Sequence, residues 1–336
     1  MHVGLFHQMW AFADTTDRRC IEDAIKDIIL ADELGYDSCW IGEHHHNRDK
    51  PLFGRMPQPE LLIAHLAAET RKIRLGTGVK VLPFDTPCRF AEAIVVLDML
   101  TKGRASFGIG MSMRSDKLSP THDRGAEFRA QLSQLLRLLD KDVGMGLEPI
   151  TPEPLRNYRG VIWVAAREPE TVACAAGLGL NFVVGQLEQA SKQREFVDAY
   201  HLAGGKGEVR GVRMVHVAES DDEAWHFAET AARRMYQART TSAYGRLAAA
   251  EGRLATSATD DPSEMMRQIE LIAGSPRTVA DALVSYMEAA RVDRVDVMMH
   301  IPDIDRDAIL RSMHLFAAEV LPMLRSRKQF NVGAPE

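Results

Sequence analysis

The strongest constraint on this chain is its rhythm: short apolar runs alternate with longer amphipathic ones from end to end. "HVGLF" (2–6) reads as a strand, and residues 17–35 as a helix, with Ile21, Ala24, Ile25, Ile28, Ile29 and Leu34 at helical spacing and Gly35 as its stop. "SCWIG" (38–42) is the second strand, followed by a helix opened by Pro59. "IRLGTGVKVLP" (73–83) is the third, followed by a helix from Pro87 to Leu100. "RASFGIG" (104–110) is the fourth, with a helix at 123–139. After a Gly- and Pro-containing stretch at 140–160 come strands at 161–166, 181–185, 210–220 and 292–300. Their helices fall at 169–178, 188–203, 221–239 and 305–325, and a further helix at 276–290 precedes the last strand. Eight strand–helix units in one chain predict a (β/α)8 TIM barrel with insertions, one domain over residues 1–336. A doubly wound sheet would need fewer strands and an early phosphate-binding fingerprint; "GIGMSM" after strand four is not one. Residues 240–264 are small, polar and Gly-containing, and read as a candidate mobile lid.

The formal net charge of −6 gives no basic field for nucleic acid or an anionic membrane, so a small molecule is the expected partner. No apolar run approaches the roughly 20 residues of a membrane span. Cys20, Cys39, Cys88 and Cys174 lie far apart with no CxxC pair, which argues against a disulfide framework or structural zinc and suits a cytoplasmic setting.

In a barrel the chemistry sits at the carboxyl ends of the strands. Those positions include His7, Glu43 to His46, Gly78 to Lys80, Gly110 to Met113, Arg167 and Glu168, Gly185 and Gln186, and His300. The run "IGEHHHNRD" (41–49) stands out. Side chains alternate on an extended strand, so His44 and His46 share one direction and Glu43 and His45 the other. Three consecutive histidines then cannot all bind one metal; His44–His46 is formally an HxH pair, but no metal site is expected. A second stretch, "AAREPETVACAAGLGL" (165–180), ends a strand, places Arg167 and Glu168 in the turn, opens a helix at Pro169 and puts Thr171 in its first turn. An arginine, a hydroxyl and a helix N-terminus together make an anion site; the plainer reading is an ordinary capped helix.

The chain resembles the bacterial luciferase-like flavin-dependent monooxygenases. "GYDSCWIGEHHHN", "IRLGTGVKVLPFDTPCRFAE", "LDMLTKGRASFGIG", "VIWVAAREPETVACAAGLGL", "GSPRTVADAL" and "ILRSMHLFAAEVLPML" carry the resemblance, in order and over nearly the whole chain. It implies a barrel binding reduced FMN at its mouth, with His44 as the catalytic histidine and His45 or Glu43 orienting it. It places a non-prolyl cis peptide at Gly78-Val79, and the flavin phosphate on Arg167, Glu168 and Thr171. Gly110, Met111, Ala166, Gly185 and Gln186 complete the implied cofactor lining. The chain departs from the luciferases in having Met111 where they place a phosphate-binding arginine, Gly110 for their reactive cysteine, and Gly185-Gln186 for a serine–tryptophan pair. Arg167 is the residue expected to replace the missing charge, and the changes point away from light emission from a long-chain aldehyde.

The resemblance implies oxygenation of a small organic substrate by O2 through a C4a-peroxyflavin. The reduced flavin would come from a separate flavin reductase, since no NAD(P)H fingerprint is present, and the protein would be a homodimer. The alternatives are an F420-dependent hydride-transfer enzyme on the same barrel, a non-catalytic flavin-binding subunit, and a metal hydrolase.

Overall fold

The computed structural model describes residues 1–11, 15–45, 54–111, 123–142, 148–241, 243–250, 252 and 257–327. Nine parallel strands form its sheet: β1 (His2–His7), β2 (Ser38–Ile41), β3 (Arg74–Val81), β4 (Ala105–Gly110), β5 (Ile162–Ala165), β6 (Asn181–Val183), β7 (Val209–Val217), β8 (Leu271–Gly274) and β9 (Arg294–Met298). Eight of them close into a ring. β1 to β7 pair in sequence order, β7 pairs with β9, and β9 returns to β1 at His2↔Arg294. The expected (β/α)8 barrel is therefore the fold.

The helices are α1 (Asp17–Leu34), α2 (Pro59–Glu69), α3 (Pro87–Leu100), α4 (Arg124–Leu139), α5 (Pro169–Gly177), α6 (Ala190–Leu202), α7 (Asp221–Thr241), α8 (Ala243–Ala250), α9 (Pro262–Ile269), α10 (Pro276–Ala290), α11 (Arg306–Leu315) and α12 (Leu321–Ser326). Local chemistry explains many of their ends. The Thr16 hydroxyl accepts the Arg19 N–H at the start of α1, and Gly35 ends it at φ 83°. Proline opens α2, α3, α5 and α10, where its missing N–H is not needed. The expected single helix at 305–325 is α11 and α12 joined through a π-helical turn, in which the Leu321 N–H reaches the Phe316 carbonyl, next to Pro322.

Three elements differ from expectation. β8 lies outside the ring and pairs with the upper part of β7, from Met214↔Leu271 to Val217↔Gly274. Within 240–264, α8 and the start of α9 are helical, so much of that stretch has secondary structure of its own. The longer segment from Asp221 to Ser275, which contains this stretch together with α7 and β8, is tied at its ends: the Asp221 carboxylate accepts the Ser275 N–H at 2.6 Å and the Thr278 hydroxyl at 3.1 Å. Among the described residues no helix is long and apolar enough to cross a membrane.

The barrel floor holds an ion pair. Arg210 of β7 donates to Asp296 of β9, both about 1% exposed. The guanidinium lies 3.5 Å from the Trp40 ring centre and 5.6 Å from that of Trp163. Gly4 makes room for the pair, since a Cβ there would stand 2.2 Å from Asp296 Oδ1. Burial pushes the Asp296 carboxyl up and the Arg210 guanidinium down, against their mutual attraction. Removing one partner strands the other charge in the interior. Asp296→Ala is expected to lower the unfolding free energy by about 3–5 kcal/mol. Chemical denaturation measures it, and a variant as stable as the parent would show the pair to be dispensable.

Candidate active site

The β1 and β2 ends meet at the barrel mouth. After β1 the chain runs beside residues 54–56: Trp10 bridges Gly54, the Arg55 N–H donates to the Met9 carbonyl at 3.0 Å, and the His44 N–H donates to the Met56 carbonyl at 2.7 Å. This small ladder fixes the His44 backbone. Its imidazole Nε2 meets the Gln8 side-chain oxygen. Two glycines enclose the pair. A Cβ on Gly54 would lie 2.0 Å from His44 Cδ2, and one on Gly42 would lie 2.5 Å from Gln8 Oε1.

Glu43 and His45 face the other way, as strand alternation requires. Glu43 Oε1 takes a hydrogen bond from His45 Nε2 at 2.8 Å, and its Oε2 accepts the Val81 N–H at 3.3 Å. Lys80 lies 3.6 Å from Glu43, 2.7 Å from Glu60 and 3.3 Å from Asp85. Burial raises the Glu43 carboxyl, and Lys80 opposes that rise. Burial would lower the Lys80 ammonium, but its three carboxylates outweigh burial and raise it. His45 and Glu43 thus belong to a buried charge cluster between β2, β3 and α2. The orienting contact described for His44 is Gln8, rather than the expected His45 or Glu43. His46 lies outside the described residues.

Gln8 is itself held from behind. His7 Nδ1 accepts the Met9 N–H at 3.1 Å, and Nε2 donates to Asp27 at 3.2 Å. Arg306 grips Asp27 with two bonds, at 2.9 and 2.6 Å. His300 stacks on His7 at 4.9 Å and reaches the Trp10 carbonyl at 3.3 Å. The ligand atoms of His7, Asp27 and His300 lie within 4.8 Å of one another, the spacing of a metal site. The chemistry is different: Arg306 already neutralises Asp27, and both His7 nitrogens are engaged. The cluster is a brace that fixes residues 7–10, and with them Gln8 and His44.

Around the rim, the Gly78-Val79 peptide is cis, as the resemblance implied, and the β3–β4 register shifts there. Val79 Cγ2 lies 2.8 Å from where a Gly110 Cβ would be, so Gly78, Val79 and Gly110 are neighbours, with Met111 directly after β4. At the β5 end, Ala166 is buried and Arg167 turns inward. It donates to Glu188 at 2.6 and 3.4 Å and to the Ala166 carbonyl at 2.8 Å. Glu188 is 1% exposed, so Arg167 joins the β5 and β6 ends as a structural pair. In the same loop the Gly185 carbonyl accepts from Gln193, and Arg239 reaches the Gln186 carbonyl at 3.5 Å.

At the α5 N-terminus, where the sequence suggested an anion site, a different arginine approaches Glu168 and Thr171. Arg129 of α4 donates to Glu168 Oε2 at 2.9 Å and lies 3.2 Å from Thr171 Oγ1, while the Thr171 hydroxyl donates to Glu168 at 2.7 Å. Arg167, the residue expected to carry the phosphate charge, is paired with the buried Glu188. Arg129, Gln8, Asp27 and Glu188 escaped sequence reading. Gln8 alone left a signal there, since it directly follows a strand end.

The sequence profile of the family described as luciferase-like monooxygenase matches residues 1–294. The chain belongs to this family. The oxygenase component of a flavin-dependent trigonelline monooxygenase from Acinetobacter baylyi is 29% identical over 245 residues, 67% of each chain. A monooxygenase of Streptomyces bottropensis has the same fold, with a TM-score of 0.80 at 22% identity, over 96% of this chain and 99% of that one. So does the oxygenating constituent of the 3,6-diketocamphane monooxygenase of Pseudomonas putida, solved with FMN, with a TM-score of 0.76 at 19% identity, over 96% and 98%.

Two outcomes are expected for this luciferase-like monooxygenase. Gly54→Ala forces a methyl into the His44–Gln8 contact and should destabilise by about 1–3 kcal/mol, as other overpacked sites do. Differential scanning calorimetry reads this as a lower Tm, and an unchanged Tm would mean the ladder yields without loss. The second concerns pH. Burial, followed by the neighbouring His7, pushes the His300 imidazole down to about 4 from 6.5. A depressed folded-state pKa means stability that is full above pH 6.5 and is lost as pH falls toward 4. Burial would raise Asp27, but His7 and Arg306 hold it at about 2, so its contribution goes only at lower pH. Tm should therefore fall between pH 6.5 and 4, and less steeply in His300→Gln; equal slopes in the two proteins would contradict this.

Proposed function

We propose that this chain is the oxygenase component of a two-component flavin monooxygenase. It takes reduced FMN from a separate reductase, together with O2, and oxygenates a small organic substrate. The observation that carries the reading is His44, fixed at the barrel mouth by Gln8 and enclosed by Gly42 and Gly54. The name of the Acinetobacter relative, an oxygenase component, supports a separate reductase.

The residues present fit a flavin. Gly78, Val79 and Gly110 present a narrow, side-chain-poor wall at the β3 and β4 ends, where the ring system would lie. Arg129, Thr171 and the α5 N-terminus would face its phosphate. Reduced flavin, when bound, supplies the electrons that activate oxygen.

The chain's own part is proton handling and exclusion of water. An amide oxygen only accepts, so with Gln8 oriented as it is, His44 Nε2 carries a proton in this contact. An imidazole suits both directions near neutral pH. Buried Glu43 and Lys80, with the half-buried His45, form a charged wall beside it. The 240–264 segment, containing α8 and the start of α9, is the proposed cover that keeps the site dry. The same reading carries a cytoplasmic homodimer.

The test supplies reduced FMN to the purified protein without oxygen, then admits oxygen and follows absorbance and candidate-substrate oxygenation. His44→Ala is expected to retain flavin and to lose about 10²–10⁴-fold of its oxygenation rate. Near-parental turnover by that variant would remove His44 from the reaction. A parallel titration with reduced F420 separates the alternative, because hydride transfer on this barrel needs no oxygen.

A further inference from the structure

A cavity of about 670 Å³ lies outside the barrel ring, between the end of α1, the outer part of β7, the start of α7, and α11. That is the size of a small-molecule site. It shares no residue with the site at the mouth. Beneath it sits His216 of β7, 1% exposed. Neither ring nitrogen has a hydrogen-bond partner among the described residues, and neither is open to solvent. Burial, followed by Arg311, pushes this imidazole down to about 4 from 6.5. Near neutral pH it is therefore uncharged, with one nitrogen able to donate and the other to accept. Two unmet hydrogen-bonding atoms in the interior cost stability. Phe227 of α7 covers the imidazole edge-on, with ring centroids 5.4 Å apart, and is itself half-buried on the cavity wall.

The wall selects against charge. Its ionised groups are Glu33 of α1, Glu219 and Glu223 on the β7–α7 side, and Arg311 of α11, with the exposed His314 one turn further along α11. Three carboxylates against one guanidinium disfavour an anion. The guanidinium is the charge that acts on His216, so it disfavours a cation at the imidazole. An uncharged group is left, and it must be able to give or take a hydrogen bond, as a hydroxyl does. Leu34, Leu315, Ala308, Ala317 and Ala318 supply an apolar surface for the body of such a molecule.

We propose that this cavity is a second ligand site, distinct from the mouth, which takes an uncharged phenol. The Phe227 ring turns off the imidazole and packs along the aromatic ring of the ligand, and the ligand hydroxyl bonds to His216. The site does not depend on the flavin reading.

The test is isothermal titration of the full chain with a naphthol at neutral pH, beside three analogues: its methyl ether, the naphthoate anion and a naphthylmethylammonium cation. The naphthol should bind about tenfold or more tightly than each of the three. His216→Leu should lose about tenfold in naphthol affinity and yet raise the Tm, because it removes two unmet hydrogen-bonding atoms. A histidine with a purely structural role would lower the Tm when replaced. Ala318→Trp, at an exposed position of the wall, fills the cavity and should abolish the binding with the Tm unchanged. The proposal is overturned if the naphthol binds no more tightly than its analogues, if no saturable binding is seen, or if both variants bind it as the parent does, which would put the naphthol elsewhere. Should His216→Leu fail to fold, Ala318→Trp decides alone, and parental naphthol affinity in that variant sinks the site.

Discussion

The Arg210 guanidinium lies against Trp40 and pairs with Asp296, both charges being sealed inside the barrel. Four strands contribute to that contact or its surroundings: β7 the arginine, β9 the aspartate, β2 and β5 the two tryptophans. A charge pair has direction and a fixed length, which an apolar core lacks, so it allows the strands one relative height. From that layer each strand climbs about 3.3 Å per residue to the rim. His7, Glu43, Lys80, Gly110 and Ala165 reach the mouth because the floor is set.

The mouth itself is organised by pairs that join neighbouring strand ends. His7 and Asp27 tie β1 to α1, Glu43 and Lys80 tie β2 to β3, and Arg167 and Glu188 tie the ends of β5 and β6. Each places a charge where burial is unfavourable and relieves it with oppositely charged or hydrogen-bonding neighbours. His44 is held otherwise, by a neutral amide and two absent side chains. The contact that Gln8 offers this imidazole is a neutral amide oxygen.

Much of this was legible in the sequence, and the remainder was illegible for a definite reason. The ring strands announced themselves by apolar runs, those of β2, β3 and β5 followed by helix-opening prolines, and the carboxyl ends of the strands were searched for site residues such as His44, Gly110 and Glu168. β8 did not: its four residues, Leu271–Gly274, carry too little pattern to separate from the helix after them. Arg167 shows the deeper limit. The turn at 167–171 suggested Arg167 beside Thr171, but the nearest arginine in sequence is not the nearest in space. Arg129 faces Thr171 from 42 positions away, and only the packing of α4 against α5 brings them together. Gln8 and His44 are 36 apart and meet for the same kind of reason.

β7 has two pairing partners at different heights, and the chain between Asp221 and Ser275 leaves and returns at one stapled point. Barrel closure therefore uses Arg210 to Met214, while Met214 to Val217 pair with β8 on the returning chain. Because the ends of this excursion are held together, lengthening it adds only slowly to the entropy of closing it. The segment between the stapled ends can thus change in length while the strand pairs that set the ring and its floor stay as they are.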